Sequence, residues 1–172
     1  DGWVKTIKRH DLEIKSIKDL SELPKPSKNL NLELINKPDL QLNKFFYKQI
    51  GKKFNWIDRL TWSDDKWIDY LNDKNVSTYV LKEQNNLIGY YEQIIDEVKL
   101  DYEIAYFGIF EEYIGKKFGG YLLSEAIKNA FNLNANRIWV HTCSLDHKHA
   151  LKNYLSRGMK IFKSENIKIN IS

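Results

Sequence analysis

A single cysteine, Cys143, stands among 172 residues, so no disulfide can form within the chain and a reducing compartment is the natural expectation. No apolar run approaches the roughly 20 residues a membrane helix requires, and the first residues show no charged-then-apolar leader. A cytoplasmic protein without a membrane partner is therefore expected, its start at Asp1 rather than Met marking a processed or trimmed end. Charge of one sign is also scarce. Lys and Arg number 27 against 23 Asp and Glu, a net charge of +4, and the two signs are interspersed. That pattern lacks the basic stripe of a nucleic-acid binder and leaves room for an anionic small ligand. Only three prolines occur, two of them in "SELPKPSKN" at 21–29, which reads as a surface connector. What is abundant is apolar and aromatic: 42% hydrophobic residues and 13% Phe, Trp and Tyr, spread along the chain. A soluble globular domain is implied, large enough to bury roughly two thirds of its extended surface.

Hydrophobic spacing divides the chain into strands and helices. "WVKTIKR" and "LEIKSI" (3–9 and 12–17) alternate as a strand pair or one bent strand, and "LNLELI" (30–35) is a strand. "DLQLNKFFYKQIGKKF" carries Leu42, Phe45, Phe46 and Ile50 at helical spacing and stops at Gly51. Ser63 caps a short helix with Asp64 and Asp65 in its first turn. Strands come next at 77–82, 87–95 and 100–110; then come a helix with Leu122, Leu123, Ala126, Ile127 and Ala130 on one stripe, a strand at 137–143, and a helix at 147–158 ended by Gly158. "KIF" and "IKINI" read as two short closing strands. The order is that of one α/β domain at 30–172, preceded by a strand extension and connector at 1–29.

Between the strand at 100–110 and the next helix lies "EEYIGKKFGGYLL", with glycines at 115, 119 and 120 and lysines at 116 and 117. A strand running into a glycine turn that opens a helix aims several backbone N–H groups at one point, reinforced by the positive helix end. Glycine lets the main chain approach a phosphate closely, and two lysines add charge suited to a pyrophosphate. The alternative is a merely tight turn with solvated lysines; neither GxxxxGK[ST] nor GxGxxG is present.

In order and spacing, "EIAYFGIF", "EEYIGKKFGGYLL", "RIWVHTC" and "HALKNYLSRGM" resemble the acetyl-CoA-binding half of the GNAT superfamily of N-acetyltransferases, over about residues 77–165 and more weakly 30–76. The family's [Q/R]-x-x-G-x-[G/A] loop aligns with Ile114, Gly115, Lys116, Lys117, Phe118 and Gly119. Ile114 replaces the usual Gln or Arg, and Lys117 a usual Gly, so residue 117 must tolerate the loop's conformation without glycine. The later A-x-x-x-Y-x-x-x-G landmark is met by Ala150, Tyr154 and Gly158, with Met159 next in place of Phe.

The resemblance implies a mixed, mostly antiparallel sheet with splayed central strands and about four flanking helices. It implies acetyl-CoA as co-substrate, held by residues 114–120, including Gly120, and by main chain at Phe107, Gly108 and Ile109. Glycine in mid-strand at 108 suits close ligand approach, or a bulky neighbour. Direct attack by an acceptor amine forms a tetrahedral oxyanion that N–H donors stabilise. Tyr154 matches the family's usual acid for the departing thiolate, and an interfacial packing role is the alternative. Glu103 is the first choice for the amine's base and Glu92 the second, or a lining residue of the acceptor site.

The stretch "FNWIDRLTWSDDKW" lies where GNAT-like proteins build the acceptor pocket, so Trp56, Arg59 and Trp62 are expected there. Tryptophans beside Asp58, Asp64 and Asp65 suit a cationic amine; Arg59 suits an acceptor carboxylate. Both readings are open on the sequence. "HTCSLDHKH" gathers His141, Cys143, Asp146, His147 and His149, yet its spacing fits no common ligand pattern, so no metal is expected, and His141 and Cys143 fall at core-facing positions of the family. A small-molecule amine is the expected acceptor, with a peptide or protein amine, or a CoA binder without turnover, as alternatives. The protein is expected to be a monomer or homodimer.

Overall fold

The computed structural model describes residues 3–54 and 56–171. In chain order its elements are β1 (Trp3–Ile14), β2 (Leu30–Leu34), α1 (Leu40–Gly51), α2 (Asp64–Asn72), β3 (Val76–Glu83), β4 (Asn86–Asp96), β5 (Asp101–Ile109), α3 (Phe118–Asn132), β6 (Arg137–Cys143), α4 (Ala150–Ser156) and β7 (Lys160–Ile171). Local chemistry sets several boundaries. The Asp39 carboxylate accepts from Leu42 N–H at 3.0 Å to start α1, and Ser63 Oγ accepts from Lys66 N–H at 3.2 Å to start α2.

Among the described residues the strands form one sheet in the order β2-β3-β4-β5-β6-β1-β7, antiparallel except where β5 meets β6. β1 is one bent strand, its pairing to β7 shifting register between Asp11 and Leu12. It lies inside the sheet, between β6 and β7. The two short strands expected near the C-terminus are one strand of 12 residues. The reason is the partner: β1 pairs with β7 from Trp3↔Ile171 to Glu13↔Lys160, which keeps "KSE" extended as well.

Helices α1 and α2 cover one face of the β2–β5 half, where Phe46, Ile50, Val80 and Tyr90 form a buried cluster with Phe46 stacked on Tyr90 at 4.5 Å. α3 and α4 cover the opposite face. There Leu12, Ile14, Tyr91, Ile104, Leu122, Leu123, Ile127, Ile138 and Val140 pack together, each worth about 1.5–3 kcal/mol relative to exposure. The stripe on α3 and the alternate residues of β6 are thus the two surfaces of one core.

Two features place the site. First, β5 and β6 pair only at Asp101↔Arg137, Tyr102↔Ile138 and Glu103↔Trp139, and then diverge. Second, the β4–β5 register slips so that Gln93 faces Ile104 and Glu92 faces Tyr106, leaving Ala105 as a bulge. The bulge re-aims the rest of the strand: Phe107 and Ile109 join Tyr102 and Ile104 on the α3 face, and Tyr106 turns toward α1 and α2.

Candidate active site

Where β5 and β6 part, a cleft of about 620 Å³ opens between them. One end is the turn into α3. Gly115 has φ +86° with open space around it, and Lys117 is left-handed at φ +69°. The usual glycine of this position would adopt that conformation freely; Lys117 adopts it at a cost of about 1–2 kcal/mol. The first helical bond of α3 runs from Tyr121 N–H to the Lys117 carbonyl at 3.1 Å. The N–H groups of Phe118, Gly119 and Gly120 are therefore without acceptors inside the helix and gather at its positive end.

Of the expected phosphate-end residues, Ile114, Gly115, Lys117, Gly119 and Gly120 line the cleft, as do Phe107, Gly108 and Ile109. Phe118 sends its ring into the core, edge-on to Tyr113, and offers only main chain. Lys116 lies outside the main cleft, in a smaller hollow with Lys25 and Lys117, walled by Pro24 and Pro26. The connector is held there by Leu23 N–H donating to Ser124 Oγ at 2.9 Å and by the Glu22–Lys128 pair at 2.7 Å. Arg157, only 9% exposed, lies beside Gly120 with Nε and Nη1 free of acceptors among the described residues. A surplus of positive charge thus surrounds this end.

Tyr154 projects from α4 into the middle of the cleft, its ring edge-on to Phe107 at 6.3 Å. Burial, with Asp146 adding to it, raises its pKa, so the phenol stays protonated. Asp146 itself is occupied, accepting from Thr142 Oγ1 at 2.5 Å and Cys143 N–H at 3.1 Å.

The far end is walled by side chains from separate parts of the chain: Ile7 and Arg9 of β1, Trp56, Ile57 and Asp58 before α2, Tyr106 of β5, His141 of β6, and Ile167 and Ile169 of β7. His141 and Cys143 face this opening, because the buried alternates Ile138, Val140 and Thr142 take the other face of β6. This corrects the core-facing placement expected for both. His141, although its side chain is open to the cleft, is held below the ordinary histidine pKa, by desolvation from the surrounding cleft walls first and then by Arg9, with Asp11, Asp146 and Asp58 opposing. Burial raises the Cys143 thiol, which keeps it protonated and unlike an activated nucleophile.

Trp56 lines the cleft; Arg59, Trp62, Glu92 and Glu103 do not. Arg59 and Glu92, 5% and 0% exposed, pair at 2.9 Å behind the wall. Glu92 also accepts from Tyr70 OH at 2.5 Å and Asn43 Nδ2 at 3.1 Å. The guanidinium is stacked by Tyr106 at 4.2 Å, Tyr70 at 4.3 Å and Trp62 at 4.7 Å. Such a pair is satisfied internally and has no charge left for an acceptor carboxylate; its effect on the cleft is to fix Tyr106 and the neighbouring Asp58. Glu103 is the last β5 residue still paired to β6, one step short of the opening. Burial raises its pKa. Among the described residues no three His, Cys, Asp or Glu side chains converge as metal ligands do.

The model of the Acetyltransferase (GNAT) family matches residues 41–159, well over half of the chain. No curated protein sequence matches. Among solved structures, a GCN5-related N-acetyltransferase from Sphaerobacter thermophilus is similar with a TM-score of 0.70 at 10% identity, over 96% of this chain and 52% of that one. This chain thus spans about half the length of that relative. A spermidine N-acetyltransferase from Vibrio cholerae, in complex with CoA and spermine, gives 0.63 at 21% identity over 84% and 96%. An aminoglycoside acetyltransferase from an uncultured soil metagenomic sample gives 0.64 at 16% identity over 77% and 90%. These likenesses carry the fold. By the family match, which takes in both strands of the split and the glycine turn between them, the chain belongs to the acetyltransferase (GNAT) family.

Proposed function

We propose that the protein transfers the acetyl group of acetyl-CoA directly to the primary amine of a small molecule. The observation that carries this reading is one continuous cleft along the β5–β6 split, with free helix-end amides at one end, the Tyr154 phenol midway and a side-chain-lined chamber at the other. The phosphate end fits the nucleotide's diphosphate by its donors and by the cations Lys116, Lys117 and Arg157. The β5 edge left unpaired beyond Glu103 supplies main-chain groups for the pantetheine arm and the thioester carbonyl.

In the chamber, the amine attacks as its neutral form. His141 accepts the ammonium proton, a role for which its lowered pKa keeps the imidazole neutral. A C–N bond forms, the nitrogen sheds its second proton to solvent as the oxyanion collapses and the C–S bond breaks, and the thiolate takes the proton of Tyr154. Exchange with solvent then returns one proton to Tyr154 and removes one from His141.

The test pairs binding with turnover. Acetyl-CoA at about a hundred times its dissociation constant is expected to stabilise the fold by roughly 2.7 kcal/mol. Tyr154→Phe is expected to keep that shift and to lower thiol release with an accepted amine by about 10²–10⁴-fold. Unchanged turnover in the variant would remove Tyr154 from the mechanism, and no thermal shift would remove the CoA reading itself.

A further inference from the structure

The acceptor chamber is built in part from strands outside the matched residues 41–159. Ile7 of β1 stands directly opposite Ile167 of β7, and Lys5 opposite Ile169, so the three isoleucines share one face of a two-stranded ribbon and all line the cleft. Ile7 is buried and the other two are half-buried. Trp56 and Tyr106 close the other side, in contact at 4.9 Å. The walls are thus apolar and aromatic.

Charge in the chamber is sparse and mostly spent. Arg9 is bound to Asp11 at 2.8 Å. Asp146 is bound to Thr142 and Cys143. Both cleft-lining carboxylates, Asp58 and Asp146, are outside any ion pair among the described residues, but Asp146 is held by Thr142 and Cys143, and Asp58 is the one at the isoleucine and tryptophan end, with only a long 3.4 Å contact from Tyr106 OH. One carboxylate balances one ammonium. A second or third positive charge on the same ligand would lie against isoleucine and tryptophan with no carboxylate beside it, at a cost in desolvation.

We propose that the acceptor is a monoamine: a single primary ammonium, drawn to Asp58, on an apolar ring-sized body that packs between the Ile7–Ile167–Ile169 face and Trp56 and Tyr106. This deepens the amine-transfer reading and rests on it. The chamber selects against polyamines and aminoglycosides, the substrates in the names of two structural relatives. Specificity is then shared between the terminal strands β1 and β7 and the facing Trp56, Asp58 and Tyr106.

The full chain saturated with CoA is titrated with 2-phenylethylamine, spermidine and kanamycin, and the same amines are offered with acetyl-CoA for thiol release. 2-Phenylethylamine is expected to bind at least about tenfold more tightly than either polycation, and to be preferred in turnover by a similar factor. Ile167→Asp, which places a charge in the apolar wall, is expected to narrow or reverse that ranking. Asp58→Asn, at an exposed position that leaves the fold intact, is expected to weaken 2-phenylethylamine but not the uncharged 2-phenylethanol. Spermidine or kanamycin binding as tightly as the monoamine overturns the proposal, as does an Asp58→Asn variant that loses amine and alcohol alike. Absence of an acetyl-CoA thermal shift strikes the transfer reading instead, and the comparison of amine affinities still decides the acceptor class.

Discussion

The two ends of the cleft are made differently. The proposed phosphate end is centred on one unbroken stretch, Ile114 to Gly120, and offers main-chain donors. The proposed acceptor end is assembled from β1, β5, β6, β7 and the segment before α2, and presents side chains. A backbone site tolerates side-chain replacement as long as the turn survives, whereas a side-chain site depends on each residue and on whatever holds it in place.

The largest effect expected from breaking this contrast lies behind the acceptor end. Glu92→Ala leaves the Arg59 guanidinium buried and unpaired, and is expected to cost about 3–5 kcal/mol in denaturant unfolding. Replacing both partners together, Arg59→Met with Glu92→Leu, is expected to recover most of that loss. A Glu92→Ala variant as stable as wild type would mean that the pair does not hold the wall.

Next comes His141. With the amine's proton passing to a neutral imidazole, as proposed, kcat/KM is expected to fall as pH drops through a pKa lying below the ordinary histidine value, because protonation removes the acceptor. His141→Asn is expected to lower kcat/KM by about a hundredfold at neutral pH and to abolish that acidic limb. Glu103→Gln is expected to retain it; a limb lost in Glu103→Gln and kept in His141→Asn would return the base to Glu103.

The smallest effect belongs to the phosphate end. Lys117→Gly restores the residue type that the left-handed backbone favours and is expected to raise stability by about 1 kcal/mol. Losing one exposed charge is expected to weaken acetyl-CoA by less than about tenfold. A drop of several orders of magnitude would show that the lysine side chain, not the turn, grips the phosphates.

The same contrast explains how much is legible in the sequence. Consecutive residues with glycine freedom and helix periodicity disclose a turn opening a helix, so that turn and most elements can be read directly. Ser63 and Gly158 act where expected, as a cap and a helix stop with φ +106°. The acceptor end cannot be read that way. Ile7 and Ile167 meet only through strand pairing across nearly the whole chain, and alternation in "RIWVHTC" cannot say which face α3 will cover. The place of Arg59 and Trp62 between two helices points to the pocket, yet Glu92, 33 residues later, draws the arginine behind the wall. Long-range charge pairing leaves no local pattern. The split itself leaves only a weak trace, since a three-residue overlap of β5 and β6 arises from tertiary packing rather than from either strand's composition.

The central claim is that backbone amides at the start of α3 receive the diphosphate of acetyl-CoA. Backbone amide resonances of the ¹⁵N-labelled protein, monitored during titration with acetyl-CoA, test it most directly. The largest shifts are expected at Gly115 to Gly120, with smaller ones along Phe107 to Ile109. Saturable shifts confined to another surface, with residues 115–120 unmoved, would contradict the account.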